Sequence, residues 1–179
     1  MKGISGKEGD FQIQITQYPR YVDIEKCIAC GLCAEKCPKK VDDEYDEGLK
    51  KRKAVYVKYA QAVPLKYAID SKNCIYFQKG KCKACEKYCP TGAIWFDQPQ
   101  KELTLNVGSV IISTGCETYD PSTHDVYGYG RSPNVVTGLE FERILSSSGP
   151  YGGHLIRPSD KKEPKKIAWL QCVGSRDAH

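Results

Sequence analysis

Eight of the ten cysteines in this 179-residue chain fall into two groups whose spacing suits metal chemistry. The first group has the pattern C-x2-C-x2-C-x3-C-P and the second has C-x7-C-x2-C-x3-C-P. Their members are Cys27, Cys30, Cys33 and Cys37, followed by Cys74, Cys82, Cys85 and Cys89. Three thiolates spaced by two residues can wrap one iron–sulfur cube, because the tight turns between them point the sulfurs inward. We therefore predict two 4Fe-4S clusters.

The fourth cysteine of each group is predicted to bind the cluster of the other group. In two-cluster ferredoxins that cysteine ligates the neighbouring cluster, and the proline after it redirects the chain. Cluster one is assigned Cys27, Cys30, Cys33 and Cys89. Cluster two is assigned Cys74, Cys82, Cys85 and Cys37.

An internal repeat supports this pairing of two halves. Residues 22–27 align with residues 69–74, each beginning with an apolar residue and an aspartate that lead to the first ligand. Residues 41–45 and 93–96 are predicted to be equivalent short strands after the last ligands. The second half also has extra residues, 75–81, between its first two cysteines, and we expect them on an adjoining surface.

Zinc and disulfide bonds are the two alternatives for so many cysteines. Structural zinc sites use C-x2-C pairs separated by a dozen or more residues, which neither group shows. Disulfides persist in oxidising compartments, and the N-terminal residues lack the apolar core of a secretion signal. We therefore predict a cytoplasmic chain. The alternative to an iron–sulfur protein is a zinc-binding interaction module or a nucleic-acid-binding module.

Composition excludes several other classes of protein. Hydrophobic residues make up 40% of the chain and charged residues 27%, which is typical of a folded domain. No apolar stretch approaches the roughly 18 residues of a membrane span. The net charge of +5 is interleaved with acidic residues, so we predict no nucleic-acid partner. Charged runs at residues 42–47 and 50–53 are interpreted as a solvated face, with a docking site for a partner protein as the alternative.

The segments on either side of the cysteines have the patterns of an α+β fold. Residues 11–16 alternate apolar and polar side chains, and residues 102–105 also predict a short strand. Buried strands are predicted at residues 107–114 and 167–173. Between them, Thr137 and Glu140 form a capping box that starts a helix ending near Leu145. No G-x-G-x-x-G motif is present, which argues against a complete flavin-dependent reductase.

With these motifs in place, the sequence resembles the central part of the heterodisulfide reductase A-subunit family. The matching segments are residues 19–23, 61–64, 92–94, 113–115, 134–143 and 171–177. The resemblance implies an iron–sulfur flavoprotein in which a ferredoxin-like module is inserted into a thioredoxin-reductase-like FAD domain. It covers nearly the whole chain, and the segment at 171–177 is the most specific.

The resemblance also implies a domain organisation and a role. Residues 1–20 and 101–179 would be segments of the FAD domain, and residues 21–100 the two-cluster module. Ser113, Thr114 and Gly115 would lie near FAD, which only the full-length parent would bind. The module would transfer electrons to other redox subunits of a heterodisulfide reductase-like complex, without an active site of its own. Cys172 would be an orphan ligand or a buried strand cysteine, and Cys116 a loop residue without a role.

Overall fold

A computed structural model describes residues 1–173 and 175 as two units. The first unit contains Met1–Val41 and Lys53–Thr114, and the second contains Asp42–Arg52 and the chain from Gly115 onward. Residues 174 and 176–179 lie outside the described residues, so the segment at 171–177 is described only in part. The strands are β1 (Gly3–Lys7), β2 (Asp10–Gln17), β3 (Lys40–Asp42), β4 (Lys51–Lys53), β5 (Val55–Tyr56), β6 (Ala68–Ile69) and β7 (Lys101–Val107). The α-helices are α1 (Leu32–Glu35), α2 (Ile75–Lys79), α3 (Ala84–Lys87) and α4 (Gly138–Leu145), with short 3₁₀ turns at Glu44–Asp46, Pro121–Thr123 and Asp125–Tyr127.

The first unit contains an antiparallel sheet in the order β1-β2-β7. Strand β2 has the predicted alternation, because Phe11, Ile13 and Ile15 are half-buried while the polar residues between them are exposed. A two-residue turn joins β1 to β2, and Gly6 opposite Phe11 has φ +101°. A Cβ at Gly6 would collide with the carbonyl of Asp10, so this position requires glycine.

The two cysteine-bearing halves repeat the same backbone hydrogen bonds. The Asp23 N–H donates to the Ala93 carbonyl at 2.7 Å, and the Asp70 N–H donates to the Ala54 carbonyl at 2.8 Å. Each aspartate carbonyl then accepts from the first cysteine of its half, at 3.0 Å for Cys27 and 2.9 Å for Cys74. The strand before one group of cysteines therefore pairs with the strand that follows the other group.

This pairing corrects one prediction about the repeat. The equivalent of residues 93–96 is the segment at Ala54 and β5, because β5 pairs with β6 as Ile94 pairs with Val22. Residues 41–45 instead belong to a β3–β4 hairpin that is inserted between Cys37 and β5. The sequence pattern did not predict this because β3 follows Pro38 at about the spacing at which residues 93–96 follow Pro90.

The ends of the cysteine-bearing region lie side by side. Val22 forms an isolated antiparallel bridge with Ile94, and the Trp95 N–H donates to the Tyr21 carbonyl at 3.0 Å. The side-chain carbonyl of Gln98 accepts from the backbone N–H groups of Arg20 and Tyr21, at 2.8 Å and 2.7 Å. Strands β2 and β7, which flank the region, pair along their length from Phe11–Val107 to Gln17–Lys101.

The second unit contains helix α4 and the tip of the β3–β4 hairpin. The capping box is confirmed: the Thr137 hydroxyl accepts from the Glu140 N–H at 3.2 Å, and the Glu140 carboxylate accepts from the Thr137 N–H at 2.6 Å. The solvated-face interpretation is wrong for Asp46, which is only 1% exposed. Asp46 accepts a hydrogen bond from Arg143 of α4 at 2.8 Å and pairs with Lys50.

The two predicted buried strands are wrong in this structure. Residues 108–114 and 167–173 form no strand, and Ile111, Ile112, Trp169 and Leu170 are exposed. A strand that is apolar on both faces is stable only between partners that satisfy its backbone and cover its sides. No other described strand pairs with either segment. Among residues 1–173, no helix is long and apolar enough to cross a lipid bilayer.

Candidate metal centre

The third cysteine of each group lies on a short helix. Helix α1 carries Cys33 and helix α3 carries Cys85, and both side chains are buried. The turn before α1 needs positive φ at Ala29 (59°) and Gly31 (85°), so the chain doubles back tightly between the first three cysteines. Helices α1 and α3 pack against each other, which brings the two groups of thiols close together.

Four thiols meet at one pocket of the first unit. Cys27, Cys30 and Cys33 line it from the first half, and Cys89 lines it from the end of the second half. The rest of the wall is mainly apolar and comes from Val22, Ile28, Ala29, Gly31, Tyr67, Thr91, Ala93 and Ile94. These four cysteines are the set that the spacing assigns to cluster one.

Two of the four remaining thiols, Cys74 and Cys37, lie near Cys85. The electrostatic neighbours of its thiol are Cys74 and Cys37, and then Cys33 of the other set. Cys82 is exposed and lies just before α3, with φ 76°. Cys37 therefore lies near Cys85 although it belongs to the first group in sequence.

The strand pairs give a physical reason for the positions of Cys89 and Cys37. Cys89 is followed directly by the strand at Ile94, which pairs with Val22 just before Cys27. Cys37 is followed, after the hairpin, by β5, which pairs with β6 just before Cys74. The Ala54 N–H donates to the Lys39 carbonyl at 3.1 Å, which returns the chain to the position it left at Cys37.

Burial keeps two of the thiols protonated when no metal is bound. Burial, opposed by a backbone hydrogen bond from Ala34 and reinforced by neighbouring thiols, raises the pKa of Cys33 to about 11. Burial followed by the charge of Cys74 raises the pKa of Cys85 to about 12. Metal binding at either position must therefore displace a proton.

Cys89 differs from these two because hydrogen bonds outweigh burial. Burial alone would raise its pKa, but donors at Ala93 and Thr91 lower it. The Ala93 N–H donates to the Cys89 sulfur at 3.2 Å. Backbone N–H groups that point at sulfur stabilise a thiolate, and they are one of the means by which proteins adjust iron–sulfur potentials.

The donor set fits iron–sulfur clusters better than a single zinc ion. Within residues 1–173, no three side chains of His, Cys, Asp or Glu converge closely enough to hold one metal ion. Zinc–sulfur bonds of about 2.3 Å would place sulfur ligands within ~3.8 Å of one another. A cube of four irons and four sulfides is larger, so its ligands surround a pocket, as the four thiols of the first set do.

Three residues near the cysteines carry polar groups that the sequence analysis missed. The Lys66 ammonium donates to the Cys27 carbonyl, and the Lys53 ammonium donates to the Cys37 carbonyl. Tyr67 lines the four-thiol pocket, and burial followed by the charges of Cys33, Cys30 and Cys27 raises its pKa. All three come from residues 38–73, between the two groups, where no spacing motif marked them.

The extra residues of the second group are divided: Tyr76 and Phe77 pack against the core, contrary to the expected adjoining surface, while residues 78–81 are exposed, as expected. Helix α2 places Phe77 against Tyr21, with ring centroids 4.4 Å apart, and Tyr76 against Phe96 at 4.1 Å. Phe96 is buried and belongs to the same core as the cysteines. These aromatic rings give the second half apolar surroundings, which the cysteine spacing alone does not predict.

The other candidate residues are not among the lining residues of the thiol pocket. Ser113, Thr114 and Gly115 are in an exposed loop and do not line it. Cys116 is exposed, as predicted for a loop residue. Cys172 is also exposed, so the interpretation as a buried strand cysteine is wrong.

Comparison with known proteins agrees with the chemistry of the thiols. Residues 26–93 match the family described as 4Fe-4S dicluster domain. The chain is 48% identical over 99% of its length to the iron–sulfur A-subunit of the CoB–CoM heterodisulfide reductase from Methanocaldococcus jannaschii. It is 44% identical over 99% of its length to the A-subunit of the H2:CoB-CoM heterodisulfide, ferredoxin reductase from Methanothermobacter marburgensis.

A more distant relative is the A-subunit of the ferredoxin:CoB-CoM heterodisulfide reductase from Methanosarcina mazei, 38% identical over 97% of this chain. The chain spans 26% of the length of the first two relatives and 21% of the third. The resemblance found in the sequence motifs is confirmed: relatives that are 44–48% identical over 99% of this chain are named as heterodisulfide reductase A-subunits, and the chain contains a 4Fe-4S dicluster domain.

Proposed function

We propose that this chain transfers electrons through two 4Fe-4S clusters. The ligands are Cys27, Cys30, Cys33 and Cys89 for cluster one, and Cys74, Cys82, Cys85 and Cys37 for cluster two. The observation that carries the proposal is the convergence of the first set on one pocket, because Cys89 reaches it from the other half of the repeat. The match to a 4Fe-4S dicluster domain over residues 26–93 supports the same chemistry.

The residues around the thiols suit this role. Iron–sulfur clusters bound here would each accept and release one electron. Burial of Cys27, Cys33, Cys37, Cys74 and Cys85 keeps water from most of the ligands. The packing of α1 on α3 supports two adjacent sites, which is the arrangement that a relay between redox partners requires.

The flanking residues are proposed to belong to a larger domain. Residues 1–20 and 101–179 would be segments of a thioredoxin-reductase-like FAD domain, with residues 21–100 as the inserted module. The exposure of Ile111, Ile112, Trp169 and Leu170 supports this, because such apolar segments need partner strands. In the full-length protein, Ser113, Thr114 and Gly115 would lie near FAD.

The setting of the relay is proposed from the relatives. They are named as subunits of reductases that act on the CoB–CoM heterodisulfide, and two of the names also include ferredoxin. We propose that the chain is the relay part of a heterodisulfide reductase-like oxidoreductase. It would pass electrons between a flavin held by the same polypeptide and the other redox subunits of the complex.

Metal analysis tests the proposal directly. After anaerobic purification of the full chain, we expect about eight irons and about eight acid-labile sulfides per chain, since two cubes hold that number. Chemical reduction should then produce two paramagnetic centres in electron paramagnetic resonance (EPR) spectra. Zinc without sulfide would refute the proposal.

The exchange of fourth ligands has its own test. Cys37→Ser and Cys85→Ser should weaken or remove the same EPR signal, while Cys33→Ser and Cys89→Ser should remove the other. Cys116→Ser is the matched control, because this cysteine is exposed and outside both sets. If Cys37→Ser removes the signal that Cys33→Ser removes, the exchange is wrong.

A further inference from the structure

The segment before β6 reaches the four-thiol pocket from outside both cysteine motifs. It contributes Tyr67, whose side chain lines the pocket beside Cys27, Cys30 and Cys33. The Tyr67 hydroxyl lies so close to Gly31 that a Cβ at that glycine would be 3.2 Å away. The phenol therefore occupies the space above the turn between the second and third cysteines.

The O–H group of Tyr67 is free to donate a hydrogen bond at this position. No hydrogen bond joins it to another residue in the described part of the chain, whereas Tyr129, for example, donates to Glu140 at 3.0 Å. A half-buried phenol usually finds a partner for its hydroxyl. In the described part of the chain, the other polar side chains that line this pocket are the four thiols and Thr91.

Hydrogen bonds hold the residues on both sides of Tyr67 in place. The Lys66 ammonium donates to the Cys27 carbonyl, which ties this segment to the first ligand of cluster one. The Arg20 guanidinium donates to the Lys66 carbonyl at 3.0 Å, and the Ile69 N–H donates to the Arg20 carbonyl at 2.9 Å. These bonds set the position of the phenol relative to the pocket.

The internal repeat does not duplicate this residue. The alignment of residues 22–27 with 69–74 places Arg20 at the position of Tyr67. The Arg20 guanidinium is engaged with the Lys66 carbonyl. Each proposed cluster has one ligand whose carbonyl accepts from a lysine, Cys27 from Lys66 and Cys37 from Lys53, so those charges do not distinguish the clusters. The Tyr67 phenol distinguishes them, because the repeat has no tyrosine at the equivalent position.

We propose, on the basis of the proposed function, that Tyr67 donates a hydrogen bond to a sulfur of cluster one and raises its reduction potential relative to cluster two. A donor to sulfur stabilises the reduced cluster more than the oxidised one, because the reduced cluster carries more negative charge. Lys66 is a positioning residue, which holds the segment that carries the phenol. The two clusters are thereby made unequal by one side chain from the connecting segment.

The test is Tyr67→Phe in the full chain with both clusters assembled, since this change removes the hydroxyl and keeps the ring. Redox titration followed by EPR gives a midpoint potential for each cluster. We expect the signal lost in Cys33→Ser to shift to more negative potential by about tenfold in its equilibrium constant, which is about 59 mV for a one-electron couple. The signal lost in Cys85→Ser should keep its potential.

Controls separate this effect from general disturbance. Tyr18→Phe removes a hydroxyl from a residue that is 73% exposed. Lys58→Met removes a charge from the same connecting segment at an exposed residue that does not line the pocket. Both variants should leave the two potentials unchanged. Lys66→Met should lower the same potential as Tyr67→Phe, and Lys66→Arg should largely restore it.

The outcomes distinguish this inference from the proposed function. Iron and sulfide content at the level of two cubes, with potentials unaffected by Tyr67→Phe, would overturn the inference and leave electron transfer intact. Equal shifts of both clusters would overturn it as well. If Lys66→Met fails to assemble clusters, Tyr67→Phe alone decides.

Discussion

Removal of the Asp46 carboxylate should loosen helix α4, because Asp46 is the buried partner of Arg143. The Asp46 side chain is 1% exposed and that of Arg143 is 9% exposed, and 2.8 Å separates the guanidinium Nε from the carboxylate oxygen. Breaking a buried ion pair by removing one partner costs about 3–5 kcal/mol, since the remaining charge loses its buried partner. The exposed Glu142 carboxylate, 3.6 Å from the Arg143 guanidinium, and the Tyr45 ring, 4.5 Å from the guanidinium carbon, offset only part of this loss, so the lower end of the range is expected.

Hydrogen exchange of the α4 amides measures this loss locally. In Asp46→Ala, a cost of about 3 kcal/mol would speed exchange of residues 138–145 by roughly 150-fold when α4 opens and closes faster than its open amides exchange. Mass spectrometry of the peptide that covers α4 gives the rate. Arg143→Met should produce a comparable change, because it leaves Asp46 buried with Lys50 as its remaining charged partner.

Asp42 provides the matched control. It pairs with Lys51 in the same hairpin, but the two side chains are 66% and 60% exposed. Asp42→Ala should therefore cost at most about 1 kcal/mol, or roughly fivefold in exchange rate. If Asp46→Ala changes exchange of α4 no more than Asp42→Ala does, the buried pair does not hold the helix and the reasoning is refuted.

Two further predictions concern the backbone and the thiols. Gly6→Ala should destabilise the β1–β2 hairpin by about 1–3 kcal/mol, because its φ is +101° and the new Cβ would meet the Asp10 carbonyl. Gly3→Ala, with no atom within 4 Å of its Cβ, should be nearly neutral, and equal urea midpoints for the two variants would contradict the prediction. The cluster-free chain should lose stability as pH rises above about 9, because Cys33 and Cys85 keep their protons up to about 11 and about 12 when folded, compared with 9.0 for an ordinary thiol. Their contribution to stability is fully present below about pH 9. If the urea concentration at the unfolding midpoint does not decrease when the pH is raised from about 8 to about 10, this prediction is contradicted.

The cysteine spacing predicted the chemistry because the motif is local. Tight turns between Cys27, Cys30 and Cys33 need only neighbouring residues, so their convergence follows from the sequence pattern. The capping box of Thr137 and Glu140 is local in the same way, and the structure confirms it. The period-two alternation of β2 was sufficient to predict that strand.

Features that depend on distant contacts were missed. The β3–β4 hairpin displaces the strand equivalent to Ile94, and only the hydrogen bond from Asp70 to Ala54 identifies the true counterpart. Asp46 belongs to a charged run that has the composition of a solvated face, yet a partner far along the chain, Arg143, buries it. Tyr67 approaches the thiols through the pairing of β5 with β6, which no spacing rule describes.

The antiparallel bridge between Val22 and Ile94, with the hydrogen bonds that Gln98 accepts beside it, also has an evolutionary consequence. A stretch whose entry and exit lie side by side can be gained, lost or exchanged between proteins without redirecting the chain on either side. The β2–β7 ribbon provides such an attachment point, because its strands run antiparallel up to Gln17 and Lys101. The entry and the exit of the cluster-bearing stretch therefore fit the end of an antiparallel strand pair, and the contact of Asp46 with Arg143 of α4 is what a transfer of the stretch to another such pair would have to replace.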